Sequence, residues 1–474
     1  MNVSFLQELM NTVAEQGRQL LPWALRNGDA TADIQELSRA LVSVRGEASG
    51  VALAHQILTL YRSLPPDGRE GYFRFLADSL SPDEERVTAA ASAYVANPEP
   101  ATLSELQQAA ESPRQEYFRR LNLAPGATVE IVAMRRDLLK LMRSDPSLAA
   151  VDGDLRHLLY SWFNRGFLVV RRIDWQTPAA ILEKIIAYEA VHEIQGWEDL
   201  RRRLDPADRR CYAFFHPALI DDPLIFVEVA LTRDIPETIS SVLDEAPKMG
   251  QSSEPRTAVF YSISNCQEGL KGISFGNFLI KQVVDELARD QRSLRAFVTL
   301  SPIPLFARWL KSQLADDETG LLTPEVRSAL AVLDDPDWVN DPAAVGELEE
   351  TMTVLAARYL AMAKSADGRP VDPVARFHLG NGARLERIDW LANPSPKGLN
   401  ESHGLMVNYL YEVKEIERNH EAYANEGTVA VSRSVRSLLK TSPKVRPMAD
   451  AKRLPAPDPV ADGETDEIIV PAER

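Results

Sequence analysis

The spacing of hydrophobic positions divides the chain into a helical first third and a mixed remainder. Over residues 1–165, apolar residues recur three and four positions apart, clearly so in 51–64 and 128–143. This spacing predicts an all-α domain that serves packing and oligomerisation. From Cys211 onward, short runs of apolar, aromatic and β-branched residues are typical of strands. These runs are 211–215, 224–231, 258–263 and 294–300. Strands mixed with helices indicate an α/β domain.

The predicted fold class is therefore α+β, with an N-terminal all-helical domain followed by an α/β domain. We assign residues 1–165 to the helical domain and 166–440 to the α/β domain, with a helical insertion at 312–370. Residues 441–474 form a tail that is rich in proline and charge and lacks aromatic residues. Such a segment buries too little apolar surface to fold, so we predict that it is disordered.

One stretch of the α/β domain has the pattern of a phosphate site. The strand predicted at 258–263 is followed by Gly269, Gly272 and Gly276, and then by an amphipathic helix that begins near Phe278. A glycine-rich turn at a helix N-terminus presents backbone N–H groups to an anion. The spacing is neither the dinucleotide fingerprint nor the P-loop. A turn that only reverses the chain is an equally good interpretation of these glycines.

Composition and charge limit the classes of binding partner and the cellular compartment that we expect for this protein. The 474 residues carry a net charge of −16, which weighs against nucleic acid, because binding phosphates needs a basic face. No apolar run reaches the roughly 18 residues of a membrane span, and no basic and apolar leader opens the chain. Cys211 and Cys266 are too few for a disulfide framework. We expect a cytoplasmic protein with no membrane or nucleic-acid partner.

Four segments resemble the malonyl-CoA decarboxylase family, in the family's order, within about 215–439. They are YSISNCQEGLKGISFGNFLIK at 261–281, LSPIP at 300–304, ARFHLGNGARL at 375–385 and GLMVNYLYE at 404–412. Gln267, Gly269 and Gly272 are also similar to the CoA-pyrophosphate loop of GNAT-type acetyltransferases. The resemblance implies a GNAT-like catalytic domain and a homo-oligomer, dimer or tetramer. It also implies malonyl-CoA and acetyl-CoA as ligands. The C-terminal Ala-Glu-Arg is not a peroxisomal address, so a bacterial member is expected.

The resemblance also implies the residues that bind the coenzyme A thioester. The candidates run from the strand end through the loop: Ser262, Ser264, Gln267, Gly269, Lys271, Gly272, Ile273, Ser274, Phe275, Gly276 and Asn277. Ser262 and Ser264 either contact the acyl thioester or are polar groups packed at a strand end. Some family members have an acid where this chain has Ser274. Lys271 and Lys281 are candidate phosphate-binding cations, although solvated helix-face lysines are more common.

Two residues are candidates for the chemistry. The resemblance assigns His378 as proton donor and Ser301 as proton acceptor, and we expect Ser301 mainly to hold the malonyl carboxylate. Ser301 ends an apolar run before Pro302, at a strand edge where ligands bind in α/β sheets. His378 precedes a helix that we expect to begin near Ala383. From the residues alone, a histidine that caps a turn is the better interpretation.

No metal or organic cofactor is expected, because the thioester carbonyl itself accepts the electrons released by decarboxylation, and the sequence has no metal-binding motif. No acidic residue at a diagnostic spacing completes a Ser-His-acid triad. Asn408, Tyr409 and Tyr411 either line the pocket or belong to the core, and the core is the better interpretation.

Two other functions are compatible with the same loop. An acyl-CoA-dependent N-acetyltransferase would need a base and a cleft for the amine. A non-catalytic malonyl-CoA sensor would bind ligand while Ser301 and His378 serve the structure. The sequence does not distinguish malonate catabolism from control of malonyl-CoA supply.

Overall fold

The computed structural model describes residues 30–43, 46–243, 254–273, 279–315, 322–366, 368–441 and 443. The predicted CoA-binding residues Ser274, Phe275, Gly276 and Asn277 lie outside these ranges, as does nearly all of the tail 441–474.

The first part of the described chain is helical, as predicted. Its helices are α1 (Ala30–Ser43), α2 (Glu47–Ser63), α3 (Pro66–Ser79), α4 (Glu84–Ala96), α5 (Pro100–Ala110), α6 (Pro113–Leu121), α7 (Ala127–Leu141) and α8 (Ala149–Trp162). Proline at the first position starts several of them, and the Ser112 hydroxyl caps α6 by accepting from the backbone N–H of Arg114. Among the described residues, no helix is both long and apolar enough to cross a membrane.

The remainder is a sheet surrounded by helices. The strands are β1 (Val169–Ile173), β2 (Arg209–Phe215), β3 (Pro223–Thr232), β4 (Thr257–Asn265), β5 (Ala296–Thr299), β6 (Ser301–Pro302), β7 (Arg384–Asp389) and β8 (Met406–Leu410). The helices are α9 (Ala179–Tyr188), α10 (Trp197–Leu204), α11 (Ser240–Leu243), α12 (Leu279–Asp290), α13 (Phe306–Ala315), α14 (Pro324–Leu330), α15 (Pro342–Met362), α16 (Pro373–Gly380), α17 (Pro396–Ser402), α18 (Ile416–Glu426) and α19 (Arg433–Lys440). The predicted helical-then-mixed fold class is confirmed.

One pair of strands in the sheet is parallel, and it opens at one end. The strand order is β1-β2-β3-β4-β5-β8-β6 with β7 beside β8, and β4 and β5 run parallel on either side of the α12 crossover. Their pairing ends at Phe260 and Thr299. Beyond this point β4 continues to Asn265, while the chain after Thr299 turns to pair with β8 as β6. A gap therefore opens at the carboxyl ends of the parallel strands, where α/β sheets bind ligands.

The helix expected near Ala383 is wrong, because Arg384–Asp389 is strand β7, paired with β8. The buried Leu385 and Ile388 stand three positions apart, which is a helical spacing. The pairing register shifts between Leu385 and Arg387, so an extra residue lies in the strand. This bulge turns both apolar side chains inward and imitates a helix in the sequence.

A continuous hydrophobic core joins the helical region to the sheet. Ile131 of α7 and Leu155 of α8 belong to the same buried cluster as Phe260 of β4 and Val283 of α12. A smaller cluster packs α9 and α10 on the other side, against β2 and β3. The shared core places α7 beside the carboxyl end of β4, where the glycine-containing loop begins.

Candidate active site

A cavity of about 660 Å³ lies at the opening between β4 and β5. One wall is the carboxyl half of β4, including Phe260 and Ser264, and a facing wall is formed by β6 and α16. Helix α7 supplies a third wall. This volume suits a small-molecule ligand.

The two predicted catalytic residues meet on the wall of this cavity. Ser301 and His378 are 77 positions apart in sequence, yet Ser301 Oγ lies 3.2 Å from His378 Nε2. Ser301 is held by its register opposite Val407 in β8. His378 lies in the last turn of α16, whose first turn is capped by the buried Asp372 carboxylate. Both site residues are nearly inaccessible to solvent, at 5% and 2% exposure.

A chain of hydrogen bonds fixes the protonation of the histidine ring. Tyr411 Oη lies 2.8 Å from His378 Nδ1. Burial raises the pKa of Tyr411, so its hydroxyl keeps its proton and donates it to Nδ1. Ser301 Oγ donates to Thr299 Oγ1 at 2.9 Å. The Ser301 oxygen is therefore left to accept from Nε2–H, which assigns the ring the Nε2–H tautomer, with its proton at the cavity.

The ring is also positioned by packing. It stacks on Tyr409 with ring centroids 4.6 Å apart and the planes inclined at 25°. The backbone N–H of Tyr409 donates to Thr299 Oγ1, so β8 contacts one end of the hydrogen-bond chain, and Tyr411, just after β8, is the other end. Asn408, Tyr409 and Tyr411 are all buried, which fits the core interpretation, and the two tyrosines contact the histidine ring directly.

A pH-rate profile tests the state of the histidine. Burial lowers the pKa of His378 to about 3, so the ring is neutral under ordinary conditions. We expect kcat to show no inflection near the usual histidine value of about 6.5. The folded pKa lies below the unfolded one, so this group's contribution to stability is complete above about pH 6.5 and is lost as the pH falls toward about 3. A fall in kcat at acid pH with an apparent pKa near 6.5, present in the wild type and absent from a His378→Asn variant, would contradict the neutral state of the ring.

The two candidate serines of β4 are bound to a carboxylate that the sequence did not reveal. Ser262 Oγ donates to both oxygens of Glu189, at 2.8 and 2.7 Å, and Ser264 Oγ donates to it at 3.2 Å. Glu189 also accepts from the backbone N–H groups of Val191 and His192. Ser264 and Glu189 line the cavity, whereas Ser262 is buried behind it. This arrangement fits the interpretation of the serines as polar groups packed at a strand end.

Hydrogen bonds, close packing and backbone conformation explain which residues occupy the first part of the loop. Gln267 and Gly269 line the cavity, but the Gln267 amide donates to Asp222 and to the carbonyl of Pro223. A Cβ on Gly269 would lie 1.9 Å from the carbonyl oxygen of Val132 in α7, so only glycine allows this approach. Gly272 has φ of 77°, the left-handed conformation of a turn.

The loop carbonyls are held by an arginine of the helical region. Arg135 of α7 donates to the carbonyl oxygens of Gly269 at 2.7 Å and Lys271 at 2.9 Å. Its guanidinium also pairs with Asp152 at 2.7 Å. The helical region therefore shapes the loop, a role that sequence reasoning missed.

The two lysines that are predicted to bind phosphate do not line the cavity. Lys271 is not among the residues that line the cavity, and Lys281 pairs with Glu417 at 2.6 Å. The predicted CoA-binding residue Ile273 is buried and does not line the cavity either. Among the described residues, the lysine and arginine side chains that line the cavity are Arg136, Lys140 and Lys397.

The fold and the site define a two-part protein, in which a helical region and a mixed sheet enclose a small-molecule cavity with a buried serine–histidine pair on its wall. The family models for the N-terminal and C-terminal domains of malonyl-CoA decarboxylase match residues 80–163 and 166–449. The chain belongs to the malonyl-CoA decarboxylase family.

Individual relatives agree with this assignment. The chain is 37% identical over 346 residues to the mitochondrial malonyl-CoA decarboxylase of Anser anser anser, covering 68% of each chain. The enzyme of Rattus norvegicus is also 37% identical, over 68% of this chain and 70% of the relative.

Solved structures of malonyl-CoA decarboxylases are similar over more of the chain. The protein from Rhodopseudomonas palustris has a TM-score of 0.83 and 52% identity, covering 86% of this chain and 99% of that one. The protein from Agrobacterium vitis has a TM-score of 0.81 and 54% identity, with the same coverage.

Proposed function

We propose that this protein converts malonyl-CoA to acetyl-CoA and carbon dioxide in the cavity between β4 and β5. The observation that carries the proposal is the 3.2 Å contact between Ser301 and the neutral, buried ring of His378 on the cavity wall. Membership of the malonyl-CoA decarboxylase family supports the choice of substrate. It also supports assignment to the carboxy-lyases.

Decarboxylation needs a route for one electron pair and one proton. The bond between the α-carbon and the carboxylate breaks, carbon dioxide leaves, and the electron pair moves onto the thioester carbonyl as an enolate. The enolate then takes a proton at the α-carbon, which restores the carbonyl and completes acetyl-CoA. The thioester supplies the electron sink itself, so the absence of a metal or organic cofactor from the reaction stays a prediction from this chemistry.

The site residues divide this work between them. The Nε2–H of His378 donates its proton to the α-carbon, and the ring recovers a proton from water as the products leave, because the Tyr411 hydroxyl bonded to Nδ1 keeps its own proton. Ser301 rotates its hydroxyl from Thr299 toward the cavity and donates to the malonyl carboxylate, which orients the bond that breaks.

An assay of product formation separates this function from its rivals. The purified protein is incubated with malonyl-CoA, and carbon dioxide and acetyl-CoA are quantified, with and without added amines. Equal amounts of both products support the decarboxylase. Transfer of the acetyl group from acetyl-CoA, supplied in a parallel incubation, to an added amine with release of free coenzyme A, and no carbon dioxide from malonyl-CoA, supports an N-acetyltransferase. Malonyl-CoA binding without turnover supports a sensor.

Replacing Ser301 with alanine tests the serine's role. Loss of a hydroxyl that orients the reacting carboxylate lowers kcat by about 10²-fold. The matched control is Ser312→Ala, because that serine lies on the exposed side of α13, outside the cavity lining, and donates to the carbonyl of Trp309. A Ser301→Ala enzyme with undiminished kcat rejects the assigned role.

The cellular compartment and the oligomeric state of the protein are also proposals. We propose that the protein acts in the bacterial cytoplasm as a homo-oligomer, a dimer or tetramer. These follow from the resemblance of the sequence, and they remain predictions.

A further inference from the structure

We propose that Arg136 and Lys140, on helix α7 of the N-terminal region, bind the phosphate groups of coenzyme A. The inference rests on the proposed function only for the identity of the thioester substrate. It assigns part of the ligand site to the helical region.

Both side chains form part of the cavity wall. Arg136 and Lys140 stand four positions apart and therefore project from the same face of α7. Val129, Val132 and Ala133 of that helix also line the cavity, so the two cations continue an apolar strip along one wall.

The cations lie at the solvent end of the cavity. The side chains of Arg136 and Lys140 are 45% and 64% exposed, whereas Ser301 and His378 are buried. Phosphates are strongly hydrated, and their burial is costly unless they are paired. A bound thioester therefore reaches inward to the serine–histidine pair and leaves its phosphates at the exposed end, beside α7.

The position of these cations relative to the loop is fixed. Gly269 packs directly on the Val132 backbone, and the buried Arg135 holds the loop carbonyls. Arg136 follows Arg135 in sequence, and Lys140 faces Glu268 of the loop. Helix α7 thus brings two cations to the loop whose resemblance predicts pyrophosphate binding.

Both cations are available for a ligand. Arg136 lies 3.4 Å from Asp137, but that carboxylate has a closer partner in Arg69 at 2.8 Å. Lys140 lies 3.7 Å from Glu268, a long contact between exposed groups. Such surface pairs contribute little free energy, so a polyanion replaces them readily.

Local positive charge is a requirement in this protein. The chain carries a net charge of −16, and Glu268 and Asp222 also line the cavity, so an anionic ligand needs nearby cations. The third cation of the described wall, Lys397, donates to the carbonyl oxygen of Ala190 at 2.6 Å. Arg136 and Lys140 are therefore better placed than Lys397 to bind phosphate.

The test compares ligands with and without phosphates. In an Arg136→Ala/Lys140→Ala variant we expect the Kd for coenzyme A, measured by calorimetry, and the KM for malonyl-CoA each to rise about tenfold or more. The KM for malonyl-pantetheine, which lacks the phosphates, changes by less than about twofold. The control Arg86→Ala removes an exposed cation of α4, outside the cavity lining, and leaves both ligands unaffected.

The outcomes separate this inference from the proposed function. Unchanged affinity for coenzyme A, or an equal loss with malonyl-pantetheine, overturns the phosphate role. If the wild type decarboxylates neither substrate but the variant still weakens coenzyme A binding, the inference stands and the proposed function fails. Raised salt should weaken wild-type binding more than binding by the double variant, and equal salt dependence also overturns the inference.

Discussion

Replacing His378 with asparagine lowers kcat for malonyl-CoA decarboxylation by about 10²- to 10⁴-fold, the usual contribution of a positioned acid. Asparagine forms hydrogen bonds but transfers no proton, so the enolate loses its donor. Steady-state release of carbon dioxide and acetyl-CoA measures the loss. Malonyl-CoA binding should persist, because the ring acts on the reacting atoms and the phosphates bind elsewhere.

A matched histidine serves as the control for this substitution. His157→Asn makes the same change on the exposed face of α8 and should leave kcat within about twofold. Thermal unfolding of both variants reveals any loss of packing against Tyr409. If a folded His378→Asn protein keeps the wild-type kcat, the donor assignment is wrong.

Replacing Arg135 with methionine lowers the free energy of unfolding by about 3–5 kcal/mol, the cost of breaking a buried ion pair by removing one partner. The guanidinium is 1% exposed and its partner Asp152 is 10% exposed, so the remaining carboxylate is left unpaired in the protein interior. The carbonyls of Gly269 and Lys271 lose their donor as well. Urea denaturation measures the change.

Two further variants make the stability test specific. Arg74→Met removes an arginine that is 56% exposed and should cost less than about 1 kcal/mol. Adding Asp152→Leu to Arg135→Met should recover part of the lost stability, because it removes the unpaired charge. A loss below about 1 kcal/mol in Arg135→Met would show that the buried pair does not hold the loop.

The sequence predicts Ser301 and His378 as a pair for the chemistry, but it does not predict the residues that support them. This prediction depends on the resemblance of the segments around the two residues to a known family. Thr299 and Tyr411 complete the hydrogen-bond chain, yet nothing distinguishes either from an ordinary strand residue in the sequence. The sequence leaves Tyr411 as either a core or a pocket residue, whereas in the structure it is buried and contacts the His378 ring.

Interactions over long sequence separations cannot be predicted from local patterns, for a physical reason. Arg135 lies 134 positions before the Gly269 carbonyl that it binds. Its helix shows the ordinary alternation of apolar and charged residues, so Arg136 and Lys140 are indistinguishable from solvated residues until the fold places them on the cavity. Local patterns predict elements, but they do not predict which helix faces which loop.

Strand prediction succeeded where the pattern was regular. The run 258–263 is a continuous apolar stretch and corresponds to β4, Thr257–Asn265. Strand β7 was missed because its bulge replaces alternation with a spacing of three. His378 therefore lies at the end of a helix that leads into a strand, not before the expected helix.

The measurement that tests the central claim most directly is the rate of acetyl-CoA and carbon dioxide release by wild type, Ser301→Ala, His378→Asn and the double variant, all shown to be folded. If the two side chains act as one unit across their 3.2 Å contact, the double variant is no slower than the slower single variant. A double variant slowed by the product of the two single effects would contradict the joint site. A wild type that releases no carbon dioxide from malonyl-CoA would contradict the function itself.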